Sequence, residues 1–375
     1  MATPWWLAAA APALRAVRVD EPDVEIVGAG ITGCSCALAL ARAGLRVRVH
    51  DAREIAGGAS GRNGGFALRG GAMAYDKARE WMSAERAQQY WRHTEAALDR
   101  LAELAGDALA RQGSLRIAAD DEERDELREE YDALREDGFA AEWRDELDPP
   151  LADRFTAAIF HPRDASLQPA TTVRRIAAAA AEAGVEFREN DRVESVDDLE
   201  AERVVVATDG YPSGLLGQLE GLIIPTRGQV ITTAPVAERL FSCPHYGRHG
   251  FDYWQQLDDG RILAGGFRDY ALDTEFTADE ETTPTIQQAL EDFVTGLVGR
   301  PVEVTYRWAG IFGLVLDFLP VVGGVPGSDR VWVAGGYSGH GNVLGFFCGE
   351  LVARALTGDV DPLLELFDPG RLLAA

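Results

Sequence analysis

Three glycines and an aspartate carry the first chemical signal. Gly28, Gly30 and Gly33 stand as G-A-G-I-T-G directly behind the apolar run Val24, Ile26 and Val27, and Asp51 follows 18 residues after Gly33. Gly28 permits a tight turn, Gly30 lets bare backbone approach a pyrophosphate, and Gly33 lets a helix pack close to the strand. Ile31 and Thr32 open that helix, whose free N–H groups and positive dipole end face phosphate. Asp51, followed by Ala52, sits where a carboxylate accepts hydrogen bonds from an adenosine ribose. The spacing predicts a dinucleotide site. The plainer alternative is an incidental glycine turn in an ordinary βαβ unit; strand, turn, helix, strand and acid in order argue against it. Asp51 disfavours a 2′-phosphorylated cofactor but does not separate NAD from FAD.

Two further glycine-rich stretches can bring backbone donors to a ligand. Gly57–Phe66 reads GGASGRNGGF, with Ala59, Ser60, Arg62, Asn63, Gly64, Gly65 and Phe66. Five glycines in ten residues exclude a helix or an ordinary strand there. A flexible surface turn is the alternative, but Arg62 and Asn63 favour a ligand contact. Residues 331–349 read VWVAGGYSGHGNVLGFFCG. Here a strand again runs into a turn, with Gly336, Tyr337, Gly339, His340, Gly341 and Asn342, and then into a helix start. His340, Tyr337 and Arg62 are the side chains in these loops able to act on a reacting group. The cysteines Cys34, Cys36, Cys243 and Cys348 show no metal spacing, and no metal site is expected.

The positioning elements follow from periodicity. Val24–Val27 and Val47–Val49 read as strands flanking a small-residue helix that ends at Gly44. Residues 76–148 read as charged helix, with Asp120–Asp137 a solvated acidic face. Residues 172–185 give a further helix, followed by a strand through Phe187 and another over 192–196. Val204–Ala207 is a buried strand running into Thr208-Asp209-Gly210. From Leu222 to Tyr270 strand signals dominate, with a hairpin turn at Asp259-Gly260. Thr285–Val298 is a helix and Val302–Trp308 a strand. The early Trp5, Trp6 and Leu7 are expected to pack onto the body.

At 375 residues the chain is long enough for two domains. A formal net charge of −25 argues against nucleic acid and against anionic lipid as partners. It could attract cationic substrates such as amines, although a solubilising acidic surface explains it as well. Unpaired cysteines, no basic-then-apolar leader and no span-length apolar run point to the cytoplasm, with no membrane contact.

Together these motifs resemble the FAD-dependent D-amino-acid oxidase / glycine oxidase superfamily, in order and over nearly the whole chain. The resemblance rests on GAGITG with Asp51, GASGRNGG, the segment at Val193, ATDG, DFLPVVGG and GGYSGHGN. The Trp-Trp lead-in combined with GASGRNGG and GYSGHG is similar to the γ-glutamylputrescine oxidoreductase-like branch. The implied fold is α/β. A Rossmann-like FAD-binding domain with a central parallel sheet would take residues 1–80, 150–224 and 310–375. An α+β substrate domain with a mostly antiparallel sheet would take 81–149 and 225–309.

The resemblance also implies roles. Gly28, Gly30, Gly33 and Asp51 would hold the ADP half of FAD, with Val193 touching the adenine. Residues 59–66 would line the pyrophosphate and one flavin edge. Ala207, Thr208 and Gly210 would border the cofactor, and Gly310 with the 336–342 loop would surround the ring. The positions that carry a covalent flavin link in some relatives correspond to Gly310 and Arg62, so dissociable FAD is expected. Phe312 stands where amino-acid oxidases place a carboxylate-gripping arginine, and Asn342 and Val343 where other relatives place lysine. Lys77 is the only lysine of the chain. These losses favour an amine over a simple α-amino acid. Tyr253, Trp254, Trp308 and Phe312 would form an aromatic cage for it, with ordinary core packing the alternative for each.

The expected chemistry is oxidation of a C–N bond of a primary or secondary amine by hydride transfer to flavin, imine hydrolysis, and O2 reduction to H2O2. A dehydrogenase using another acceptor, a non-catalytic flavoprotein subunit and a nicotinamide enzyme are the rivals. The short segment between Val196 and Val204 has no functional reading.

Overall fold

The computed structural model describes residues 3–9, 11 and 13–373. A six-stranded sheet forms its nucleotide-binding half, with strand order 321–324, 331–335, 203–206, 24–27, 47–50 and 186–188. Every pair in it is parallel except the edge pair Val321–Gly324 with Val331–Gly335. Val24–Val27 and Val47–His50 are buried at every position, as parallel strands covered on both faces must be. Helix Ile31–Arg42 is apolar all round because it is enclosed by the sheet and by helices Pro169–Glu182 and Val343–Leu356.

An eight-stranded sheet forms the other half, with order 304–314, 224–233, 262–266, 252–256, 245–247, 114–118, 157–161 and 142–144. It is antiparallel except where His245–Gly247 runs parallel to Ser114–Ala118. Helix Pro284–Val298 covers its outer face through Ile286, Leu290, Val294 and Leu297. The α/β class and the parallel and antiparallel halves match the sequence reading.

Several elements differ from that reading. Residues 76–148 are not continuous helix: strands Leu109–Ala110, Ser114–Ala118 and Glu142–Arg144 interrupt it. Ser114–Ala118 pairs with strands at 157–161 and 245–247, so nothing local in sequence marks it. Strand Ala157–His161 joins the large sheet, while helix Ala84–Ala105 packs on helices 169–182 and 343–356. Both cross the expected domain divisions at 81 and 150. No strand forms at 192–196; Val196–Asp198 is a short 3₁₀ turn. The strand at 304 runs on to Leu314 and carries Gly310 and Phe312 within the ladder.

Trp6 is buried behind the second glycine loop. Its indole N–H donates to the Asn63 carbonyl at 2.8 Å, and its own carbonyl accepts from Gln168. The lead-in therefore braces that loop from behind.

Candidate active site

The first glycine turn lies where strands 24–27 and 203–206 end side by side, the point at which the strand order reverses. Gly28 has φ +111°, and a Cβ there would approach the Ala207 carbonyl oxygen to 2.6 Å. A Cβ on Gly33 would overlap the Gly28 carbonyl oxygen, so this glycine serves helix–strand packing rather than a cavity wall. No side chain caps helix 31–42 from Gly30; the Ile31 N–H instead meets Ser60 Oγ at 3.0 Å.

Three adjoining cavities run outward from this turn. The first, of about 130 Å³, is walled by Gly28, Gly30, Asp51, Ala52, Val193, Ala207 and Thr208, together with Arg53 and Tyr211. The middle one, of about 80 Å³, lies among Ile31, Thr32, Asn63, Tyr337, Gly341 and Asn342. It shares Gly30, Ala59, Ser60, Ala207 and Asp209 with the first. The third, of about 200 Å³, lies between the two sheets and shares Ala59, Asn63, Phe312, Gly339 and Asn342 with the middle one. Its walls include Arg62, Gly64, Phe66, Tyr253, Gly310 and His340. Gly228 stands opposite Gly310 on paired strands, leaving bare backbone on this wall.

The two glycine loops are fastened to each other. The Asn63 and Asn342 amides exchange hydrogen bonds of 3.1 and 3.0 Å, and Asn342 also donates to the Phe66 carbonyl. Thr32 and Tyr337 hydroxyls meet at 2.9 Å, and Ser35 Oγ donates to the Phe346 carbonyl. Gly345 and Gly349 let the two helices approach, since a Cβ on Gly349 would strike Ser35 and the Thr32 carbonyl.

Not every predicted site residue reaches a cavity. Gly33, Gly65, Gly210 and Gly336 lie behind the walls. A Cβ on Gly65 would come within 2.5 Å of the Leu167 carbonyl oxygen, and one on Gly336 within 2.5 Å of Val315. Gly210 lies against the Phe312 backbone. Trp254 points away from the cavity that Tyr253 faces, because neighbours on a strand alternate. It is 0 % exposed, stacks on His245 and Phe155, and belongs to the core under helix 284–298. Trp308 is also buried away from the cavity, and its indole donates to the Arg62 carbonyl at 2.8 Å. Of the expected cage only Tyr253 and Phe312 line the chamber, with Phe66 edge-on to Tyr253.

Other wall residues were not foreseen. Asp209 accepts from the Gly313 N–H at 2.9 Å and the Gly336 N–H at 2.8 Å, tying the end of strand 304–314 and the 336–342 loop to one carboxylate. Burial raises its pKa, against the pull of those backbone donors. Tyr246, His249, Ser338 and Arg268 also line the chamber. They come from the ends of short strands and turns, where no periodic pattern singles them out. Tyr253 is pushed up to about 12 by burial and stays a phenol. His340 is lowered to about 4, mainly by burial, so its imidazole is neutral near pH 7. Its Nδ1 is buried and has no hydrogen-bond partner among the described residues.

These features fit a flavin dinucleotide. Gly30 and Gly339 present bare backbone, helix 343–356 begins without a side-chain cap, and His340 keeps an unmet ring nitrogen at the chamber wall. Asp51 holds the Ala29 and Arg53 N–H groups at 2.6 and 2.8 Å, one on each oxygen; each oxygen retains acceptor capacity for a ribose.

A parallel sheet with a glycine turn at its switch point, joined across a chamber to an antiparallel sheet, is the architecture of a dinucleotide-binding protein of two halves. The chain belongs to the FAD dependent oxidoreductase family, whose model matches residues 23–355. It is 27% identical over 370 residues to the gamma-glutamylputrescine oxidoreductase of Escherichia coli, covering 90% of this chain and 84% of that one. It is 25% identical over 384 residues to the probable oxidoreductase OrdL of Haemophilus influenzae, covering 94% and 86%. The fold matches glycine oxidase from Geobacillus kaustophilus with TM-score 0.76, 23% identity and coverage of 93% and 98%. It matches L-proline dehydrogenase from P. horikoshii with TM-score 0.78, 20% identity and coverage of 95% and 99%. The protein is therefore an FAD-dependent oxidoreductase. Among the described residues no helix is long and apolar enough to cross a membrane, and no cluster of metal-binding side chains occurs.

Proposed function

We propose that this protein oxidises a C–N bond of a primary or secondary amine, with non-covalent FAD as the electron acceptor and O2 as the terminal oxidant. The observation that carries the reading is the line of three adjoining cavities, which starts at the Gly28 turn and ends in a chamber walled by Tyr253, Phe312 and Phe66. Residues of the first two cavities, Gly30, Asp51 and Ser60 among them, would hold the dinucleotide, which would leave the third for a small substrate. The bound cofactor supplies a two-electron acceptor for hydride from the carbon bearing the amine.

The residues do the rest by placement. The aromatic walls exclude bulk water and favour the neutral amine, the form able to release hydride. Tyr253 remains a phenol and His340 a neutral imidazole, so neither adds a charge to the chamber near pH 7. The amine loses hydride and its N–H proton in all, giving an imine. Water adds to the imine, releasing a carbonyl compound and the shortened amine or ammonia. The two electrons and two protons reduce O2 to H2O2. Arg62, held by the Gly57 and Ala309 carbonyls and 3.6 Å from the buried Glu280 carboxylate, presents a guanidinium at the chamber wall, where it would stabilise negative charge arriving there. None of the four cysteines lines the three cavities, in keeping with a dissociable cofactor.

Anaerobic mixing with a panel of amines tests this. Bleaching of the flavin bands followed by fast recovery and peroxide on admitting air is the expected result. Bleaching with sluggish recovery in air assigns a different acceptor and removes O2 from the proposal. No bleaching by any amine overturns it.

A further inference from the structure

Arg268 is the cation of the chamber that its own protein leaves unanswered. It follows strand Ile262–Gly266 and lines the 200 Å³ cavity. Its guanidinium lies 4.4 Å from the Phe251 ring centre and 5.6 Å from that of Phe312. It has no hydrogen bond and no ion pair to another described residue, and burial pulls its pKa down. The chain carries 61 acidic residues against 36 lysines and arginines, so a half-buried arginine without an acidic partner runs against the general balance. Asp269, next to it in sequence, has both oxygens turned to Arg248, at 2.8 and 3.3 Å, and Asp252 is bound by Arg248 as well. Tyr253 stays neutral and offers no counter-charge.

An arginine stays protonated even under such desolvation. Its planar fork, flanked by two rings, keeps N–H donors for a ligand and leaves the cavity with a fixed positive charge. A single guanidinium matches a carboxylate in shape and charge; a phosphate dianion asks for more cations than this wall provides.

We propose that Arg268 is a specificity-determining residue that receives a carboxylate on the substrate, so that the favoured substrate is an amine carrying a carboxylate. This rests on the reading of the chamber as an amine site. It also revises the inference from Phe312: the cation missing from the strand 304–314 is supplied instead from the turn after strand 262–266.

The test uses the FAD-loaded protein and two readouts. The first is perturbation of the flavin absorption bands by simple carboxylates (acetate to hexanoate), with the matching amides as controls. The second is anaerobic reduction by a series of ω-aminocarboxylates against alkylamines of equal length. Saturable carboxylate binding with no response to amides is expected, and Arg268→Met should weaken it about 30-fold or more. Arg268→Lys should retain part of the binding, and the flavin spectrum of each variant reports its folding. For reduction, Arg268→Met should raise the apparent Kd of aminocarboxylates at least tenfold more than that of plain alkylamines of equal length, and Arg268→Lys should restore part of the difference. Equal carboxylate binding by the wild type and Arg268→Met overturns the proposal. So does preference of the wild type for plain alkylamines. Carboxylate binding that depends on Arg268, in a protein that no amine reduces, would uphold the anion site and refute the amine oxidation.

Discussion

The side-chain amides of Asn63 and Asn342 bond to each other in both directions, at 3.1 and 3.0 Å, although 279 residues separate them. One residue belongs to the loop after the nucleotide turn, the other to the start of the C-terminal helix. Their pairing closes the middle cavity into a single wall. Asn342→Ala should weaken FAD binding by roughly five- to thirtyfold, the worth of one or two buried hydrogen bonds. Adding Asn63→Ala should cost less than it does alone, with a coupling of about 1 kcal/mol. Fluorescence titration of apoprotein with FAD measures both, and strict additivity would contradict the clasp.

Asp209 bears on both halves of the site. Asp209→Ala strips acceptors from the Gly313 and Gly336 N–H groups and should lower stability by about 2–4 kcal/mol. Asp209→Asn keeps one acceptor oxygen and should lose about half of that. Denaturant melts compare them; equal stability of all three proteins would show that the carboxylate does not hold the loops.

Tyr253 and Trp254 are neighbours on one strand with opposite duties. Trp254→Leu should cost about 2–4 kcal/mol of stability and leave KM within about twofold. Tyr253→Phe should leave the melting midpoint in place and change KM. A large KM change in Trp254→Leu with unchanged stability would reverse this division of labour.

Much of the site was legible because glycine spacing reports backbone geometry directly. Gly28, Gly30 and Gly33 occupy a turn, a cavity wall and a helix contact, and each role follows from the absence of a Cβ. What escaped was set by pairing between distant segments. Arg268 and Tyr246 reach the chamber only because strands 262–266 and 245–247 lie in the same sheet. Trp254 and Trp308 read as cage residues by composition, yet strand alternation turned one into the core and a hydrogen bond to Arg62 fixed the other behind the wall. Ser114–Ala118 was hidden for the same reason, being a strand only through partners far along the chain.

Three buried histidines, His161, His245 and His340, weaken the fold in acid, since burial lowers the pKa of each. Burial lowers His245 and His340 to about 4, well under the unfolded value near 6.5. Folded protein therefore binds fewer protons than unfolded protein between these values, and stability falls as pH drops from about 6.5 towards 4. Asp164, raised to about 6 by burial, acts oppositely, because its protonation relieves a penalty on the folded state. His245→Phe keeps a ring against Trp254 and should reduce the acid loss by on the order of 2–3 kcal/mol. Melts at pH 7 and pH 4.5 for both proteins read the difference; the same acid loss in both would contradict the assignment. In the same pKa frame, His340→Asn should leave the pH profile of flavin reduction unmoved between about pH 6 and 9, where the imidazole does not titrate.

The central claim is that the Gly28 turn and the 336–342 loop hold one flavin against an amine-binding chamber. The most direct measurement is the visible spectrum of the purified protein, recorded before and after anaerobic addition of amines, with the cofactor then released by denaturation. The account predicts oxidised-flavin bands, bleaching by amine, and FAD free in the supernatant. A protein that binds nicotinamide dinucleotide instead, or one whose flavin no amine can bleach, would contradict it.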